Sequence, residues 1–242
     1  TMNKIDNIVA TFSRGLIPTG SQDPYALRRQ AIGIVNILVN AKYNISLIKL
    51  IHASLDMLEI RNEEKRIELI GAILDFFKLR VKNLFMEENI KYDVVDAVLE
   101  VGCDDIYETY LRAKAVAEAM ENIDTTEFKQ VITVFGRISN MTKQNKDVDI
   151  GEIKESLFED TVENILYKTY QEVQVKIEEL IGQEDYSNVL KLLEKLVVPI
   201  NSFFDNVMVM SENMEVRKNR LCLLQSILNF SFKIADLSKI TI

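Results

Sequence analysis

The basic side chains of this sequence gather in four places, and phosphate is the ligand chemistry that such groups suit. Arg28 and Arg29 follow the Gly20-Ser21 loop. Lys78, Arg80 and Lys82 lie in Phe76-Phe77-Lys78-Leu79-Arg80-Val81-Lys82-Asn83. Arg137 sits in Phe135-Gly136-Arg137-Ile138-Ser139-Asn140. Arg217, Lys218 and Arg220 belong to Val216-Arg217-Lys218-Asn219-Arg220. For each group the plain alternative is a solvated face or a local ion pair.

Catalytic chemistry finds less support. His52 is the one histidine, too few for the paired clusters of metal hydrolases or Ser/His/Asp enzymes. The acidic pairs Glu63-Glu64 and Asp104-Asp105 stand near expected helix starts, where negative charge suits the helix dipole. Neither a phosphate loop nor a G-x-G-x-x-G motif occurs, and no convincing nucleophile stands out. Cys103 and Cys222 are too few and too far apart for a disulfide framework or a zinc site, and read as buried thiols in a reducing compartment.

The elements that must carry these residues read as helices throughout. With only 8 Gly and 3 Pro among 242 residues, breakers are scarce. Ile5, Ile8, Val9 and Phe12 mark a helix over 3–14 that Gly15 stops. Asp23 is expected as the N-cap and Pro24 as the first residue of the next helix. Its apolar stripe runs through Ala31, Ile34, Val35 and Leu38, with Arg28 at the stripe's edge and Arg29 on the opposite side. Further helices are expected at 47–58, 63–85, 92–100, 104–120 and 125–140. In the 63–85 helix the stripe is Ile67, Ile70, Leu74, Phe77, Val81 and Leu84. The polar run 141–147 is the best linker, placing a domain boundary near residue 145. Beyond it helices are expected at 151–159, 160–181, 185–197, 199–210 and 214–236, with Pro199 ending or kinking its helix.

On the last helix Arg217 and Arg220 share the face of Leu221, Leu224, Ile227 and Leu228. An arginine on an inner face needs a partner, so these two are expected to organise the fold, with Asp205 and Glu212 as available carboxylates. Phe203 and Phe204 are adjacent, so one of them must leave the core if the helix is amphipathic.

Composition bounds the partners. The net charge is −8, whereas a sequence-blind nucleic-acid binder is normally basic; RNA binding would need a local basic patch on an acidic body. No stretch approaches 18 uninterrupted apolar residues and the start lacks a signal pattern, so a cytoplasmic location without membrane contact is the expectation. The chain opens inside a helical pattern at Thr1-Met2, which reads as a piece of a longer polypeptide.

Several stretches resemble, in order, the β subunit of bacterial glycyl-tRNA synthetase. Pro18-Thr19-Gly20-Ser21-Gln22-Asp23-Pro24-Tyr25-Ala26-Leu27-Arg28-Arg29 is similar to the family's P-T-G-S-x-D-P-x-A-L-R-R. Residues 78–98 resemble its R-L-K stretch and D-V-x-D-A-V run. Arg112-Ala113 stands at its R-A pair, and Arg137 with Asn140 at its K-R-x-x-N, with Gly136 in place of the lysine. The C-terminal match takes in Pro199, Asn201, Phe203-Phe204-Asp205, Val207-Met208-Val209, Arg217, Asn219-Arg220-Leu221 and Ala235-Asp236.

The resemblance implies an all-α fold with the end of an HD-like helical domain at 1–40, a helical middle region at 41–145, and a DALR-like anticodon-binding domain at 146–242. It implies glycine tRNA and the synthetase α subunit as partners, without DNA, and no cofactor in this chain, since ATP and glycine belong to the α subunit. The family's A-D-K-x-D reads Met2-Asn3-Lys4-Ile5-Asp6 here, so the ligands of an HD-type metal site are absent. RNA-contact candidates are then Arg28, Arg29, Arg80, Lys82, Arg137, Lys191, Lys195, Lys218 and Asn219, with Asp205, Arg217 and Arg220 in structural roles. The rival expectation is a module that buttresses the synthetase or docks the α subunit without touching tRNA.

Overall fold

A computed structural model describes residues 2–19, 22–122, 125–145 and 151–242. Among the described residues there are ten α-helices, two short 3-10 turns, two isolated bridges and no strand, as the expected all-α class requires. The helices are α1 (Met2–Ser13), α2 (Leu27–Ala41), α3 (Leu47–Met57), α4 (Glu63–Glu87), α5 (Tyr92–Glu100), α6 (Ile106–Asn122), α7 (Thr125–Lys143), α8 (Thr161–Gly182), α9 (Tyr186–Asn206) and α10 (Met214–Ser231). The chain divides into two compact units, Thr1–Ala113 and Lys114–Ile242.

In the first unit α1 packs on α2, α3 and α4, and α5 on α4. Ile5, Ile8 and Val9 of α1 meet a core built from Ile34 and Leu38 of α2, Ile51 of α3, and Ile73 and Phe77 of α4, all buried. Phe12 meets Phe76 edge-on at 5.2 Å. The buried stripe of α4 is Leu69, Ile73, Phe76, Phe77, Arg80, Val81 and Phe85, and Ile67 is exposed. The helix carries two apolar stripes, and the one with the larger rings went inward, which is not the one the spacing from Ile67 suggests.

One helix start in this unit differs from expectation, and the acidic pair at another stands as expected. α2 begins at Leu27, not Pro24: Pro24 and Tyr25 form a turn, and Ala26 takes the left-handed conformation at φ 52°. Asp23 still caps the helix, because its two carboxylate oxygens accept the N–H groups of Leu27 (2.8 Å) and Arg28 (3.0 Å). Gly20 and Ser21 of the same loop lie outside the described residues. The pair Asp104-Asp105 caps two helices: Asp104 Oδ1 accepts Ile48 N–H at the start of α3 (2.7 Å), and Asp105 Oδ1 accepts Glu108 N–H at the start of α6. These anions at helix starts satisfy N–H groups that the helix itself leaves bare.

In the second unit α8 and α9 form the most extensive helix pair, joined by a three-residue turn, and α7 packs against α9 and α10. Pro199 does not end its helix, since α9 runs unbroken from Tyr186 to Asn206. The missing proline N–H deprives the Lys195 carbonyl, on an exposed position where water can bond it, and Leu196, Ile200 and Phe203 hold the segment into the core. The helix then stops at Asn206, short of the expected 210. The expected helix at 151–159 reduces to a 3-10 turn at Glu155–Leu157, and α10 ends at Ser231. In the polar run 141–147, residues 141–143 are the last turn of α7, while 146 and 147 lie outside the described residues.

Candidate nucleic-acid interface

The basic candidates sort into buried and exposed groups. Arg28 is half-buried and Arg29 exposed. Arg80 is only 8% exposed: its guanidinium carbon lies 3.7 Å from the Phe76 ring centroid and its Nη1 donates to the Phe76 carbonyl. Burial, and then repulsion from Arg28, push its pKa down, while Asp23 opposes them. Arg80 extends the buried stripe of α4 one turn beyond Phe76 and Phe77, so it braces the fold and does not present its charge to a ligand. Lys82 Nζ pairs with Asp96.

Asn219 is likewise turned inward. It is 4% exposed, and its amide clamps the Lys154 backbone at both ends: Lys154 N–H donates to Oδ1 (2.7 Å) and Nδ2 donates to the Lys154 carbonyl (3.0 Å). That clamp fastens the segment ahead of α8 to α10, and leaves no exposed amide for a base. Its neighbour Lys218 is exposed, at the rim of a recess with Glu215 and Glu152.

Arg220 organises the unit, with carboxylates other than those expected. It is 5% exposed; Nε donates to Glu163 Oε1 (2.9 Å), Nη2 to Glu163 Oε2 (3.1 Å) and Glu159 Oε2 (2.9 Å), and Nη1 to the Met208 carbonyl (3.0 Å). Asp205 and Glu212 are exposed and stand outside this set. Glu163 is fully buried and also accepts the N–H groups of Glu159 and Asp160, closing a capping box with Asp160 at the start of α8. Burial pushes the Glu163 carboxyl up. The Arg220 bonds and the two backbone N–H groups outweigh burial and hold it below the ordinary carboxylate range. The signal was present in the sequence as Asp160-Thr161-Val162-Glu163, an acid-x-x-Glu start. Arg217 is half-buried, and its Nε donates to the Ser211 carbonyl (2.8 Å). Together the two arginines tie α10 to the segment 207–213.

Two of the exposed candidates, Lys191 and Lys195, lie one turn apart on α9. Lys191 and Lys195 border a groove of about 390 Å³ with Lys176 and Glu179 of α8 and the apolar Leu180 and Leu192. Sequence reasoning did not single out Lys176. On another flank of α9, exposed Arg137 of α7 lies over the Phe204 ring (4.5 Å to the centroid), with Nη1 donating to Asn201 Oδ1 (2.9 Å). Phe203 is the ring that enters the core and Phe204 the one that leaves it. His52 has a plain structural role, its Nδ1 lying 2.8 Å from Arg66 Nη2.

Residues 1–100 match the family model described as glycyl-tRNA synthetase beta subunit, and residues 131–237 match the DALR anticodon binding domain model. Curated proteins named glycine–tRNA ligase beta subunit align along almost the whole chain. That of Geotalea daltonii is 38% identical over 99% of this chain, and that of Geotalea uraniireducens 40% over 99%. That of Clostridioides difficile is 37% identical over 98%. The chain belongs to the glycyl-tRNA synthetase β-subunit family. It spans about a third of the length of these relatives, 34% in each of the three, and corresponds to their C-terminal part. Arg137, Lys191, Lys195, Lys218 and the Arg220–Glu163 anchor all fall within the stretch that the anticodon-binding model covers. Among the described residues no helix is long and apolar enough to cross a membrane.

Proposed function

We propose that this chain is a tRNA-binding, non-catalytic part of a glycyl-tRNA synthetase. In this reading it holds the anticodon arm of glycine tRNA while a partner α subunit attaches glycine with ATP, in the cytoplasm. The match of residues 131–237 to an anticodon-binding model carries the reading. The geometry adds a means: Lys176, Lys191 and Lys195 give the acidic chain a local cationic groove, which attracts phosphate at one place while the rest of the surface repels it. Phosphate contacts set the register of the arm, and base contacts give identity.

The test is binding of glycine tRNA against the same tRNA with a changed anticodon, across a salt series. Three lysine contacts to a single-stranded loop predict a log–log salt slope of roughly −2. Replacing Lys191 and Lys195 by Gln is expected to flatten that slope by about 1.4 units and weaken binding to all tRNAs alike. Equal affinity for the two tRNAs would remove the anticodon role.

A second reading, a module that buttresses the synthetase or docks the α subunit, draws support from the inward placement of Arg80, Asn219 and Arg220 and from the net charge of −8. Capture by the α subunit without salt-sensitive tRNA binding would favour it.

A further inference from the structure

Arg137 differs from the other cations of its unit in how it is held. Among the described residues no carboxylate pairs with it, yet it is fixed at two points: against the Phe204 ring and by the bond from Nη1 to Asn201 Oδ1. Phe204 is itself braced by buried Phe203, edge-on at 5.9 Å. Arg137 is exposed, so a ligand can reach it. A guanidinium is flat and weakly hydrated, and it stacks on π systems where an ammonium does not. We infer that Arg137, seated on Phe204 and oriented by Asn201, is a stacking platform for one unpaired RNA base.

Two observations favour a base over a phosphate. A phosphate contact requires charge, which a loose surface lysine supplies; a ring beneath and an amide at the edge add nothing to it but orientation of a plane. The platform also adjoins the helix that carries two of the groove lysines. Asn201 follows Lys195 by six residues, about 9 Å along the α9 axis. Between them in sequence stands Val198, 72% exposed, while the acids Glu194 and Asp205 lie on the Asn201 flank two turns before and one turn after it. Lysines for phosphates and a flat cation for a base thus border one helix on different flanks, roughly 80–120° apart around its axis, and single-stranded nucleic acid requires both kinds of contact.

This inference rests on the anticodon-arm reading above, and the experiment separates the two. The probes are the anticodon stem-loop of glycine tRNA and variants abasic at each loop position in turn, measured with the full chain and with Arg137→Lys, which keeps the charge and loses the plane. At one loop position, removing the base is expected to weaken wild-type binding about tenfold. Arg137→Lys is expected to weaken the intact stem-loop by a similar factor, with the salt slope unchanged, and to lose no more on the RNA abasic at that position. Phe204→Leu is expected to act in the same direction. If the wild type binds the stem-loop but the Arg137→Lys loss adds to every abasic loss, or Arg137→Lys binds within twofold of wild type, the platform is wrong and the anticodon reading stands. If the wild type does not bind the stem-loop at all, both fall.

Discussion

Replacing Arg220 by methionine is expected to cost about 3–5 kcal/mol of the stability of the Lys114–Ile242 unit at neutral pH. The figure follows from what the change leaves behind. Methionine matches the stem but returns none of four hydrogen bonds. The Met208 carbonyl loses its donor, Glu159 is exposed enough for water to take over, and Glu163 is not. With no exposure of its own, Glu163 would keep only the N–H groups of Glu159 and Asp160 and would be a buried carboxylate without a counter-charge. For a unit of this size about 1 kcal/mol moves Tm by about 4 °C, so the transition should fall by about 12–20 °C.

The assay is thermal and urea unfolding followed by circular dichroism, since the chain has no tryptophan. The double variant Arg220→Met with Glu163→Leu removes the stranded charge, and is expected to be less damaging than Arg220→Met alone. It still gives up the capping box, about 1–2 kcal/mol. The sign with pH is fixed by the depressed Glu163 carboxyl. Its contribution is fully present above the unfolded carboxylate value, about 4.3, and is lost as pH falls through the lower native value. The gap between wild type and Arg220→Met should therefore be widest at neutral pH and close under strong acid. A loss below about 1 kcal/mol at pH 7, or a double variant as costly as the two singles summed, would refute the anchor.

Three further outcomes are expected. Asp104→Ala removes the acceptor of the Ile48 N–H at the start of α3 while Ser46 still caps Lys49, and should lower the stability of the Thr1–Ala113 unit by about 1 kcal/mol, measured by the same unfolding curves. Cys222 is buried as expected and Cys103 only half-buried; desolvation still pushes the Cys103 thiol up to about 11 against the opposing pull of Arg112 and Thr109, and burial also raises Cys222. Both should react slowly with Ellman's reagent at pH 8 until urea unfolds the chain. Burial, with Glu127 nearby, raises the Glu194 carboxyl, whose Oε1 has no hydrogen-bond partner among the described residues. That group favours folding below the unfolded carboxylate value and loses the advantage as pH rises through the native one, so Glu194→Gln should raise Tm at pH 7 and leave it unchanged near pH 3.

The helical class was legible because breakers are rare and the apolar spacing is regular, and α5 falls on residues 92–100 as read. What the spacing could not settle was phase and partner. α4 offers two stripes of similar strength, and only the packing of Phe76 and Phe85 chooses between them. Pro199 is a local veto that tertiary burial overrode. Arg220 was recognisable as an inner arginine, but its carboxylates lie some 60 residues away across the unit, where no helical wheel reaches.

The same blindness affected the basic candidates, and the way they sort has a physical cause. Arg80 and Arg220 went inward, as did Arg112, whose Nη2 donates to the Gly102 carbonyl and to Thr109. Lys191, Lys195 and Lys218 stayed out. A guanidinium is weakly hydrated and carries five donors in a fixed plane, so helix-end carbonyls and buried carboxylates can replace its water; an ammonium holds its water more tightly and remains at the surface. Counting arginines in this sequence therefore overstates its capacity for phosphate. Of the candidates, Arg29, Arg137, Lys191, Lys195 and Lys218 keep their charged ends at the surface. Arg137 is neither sunk in the core nor matched by a carboxylate, so its value to a ligand lies in its plane as much as in its charge.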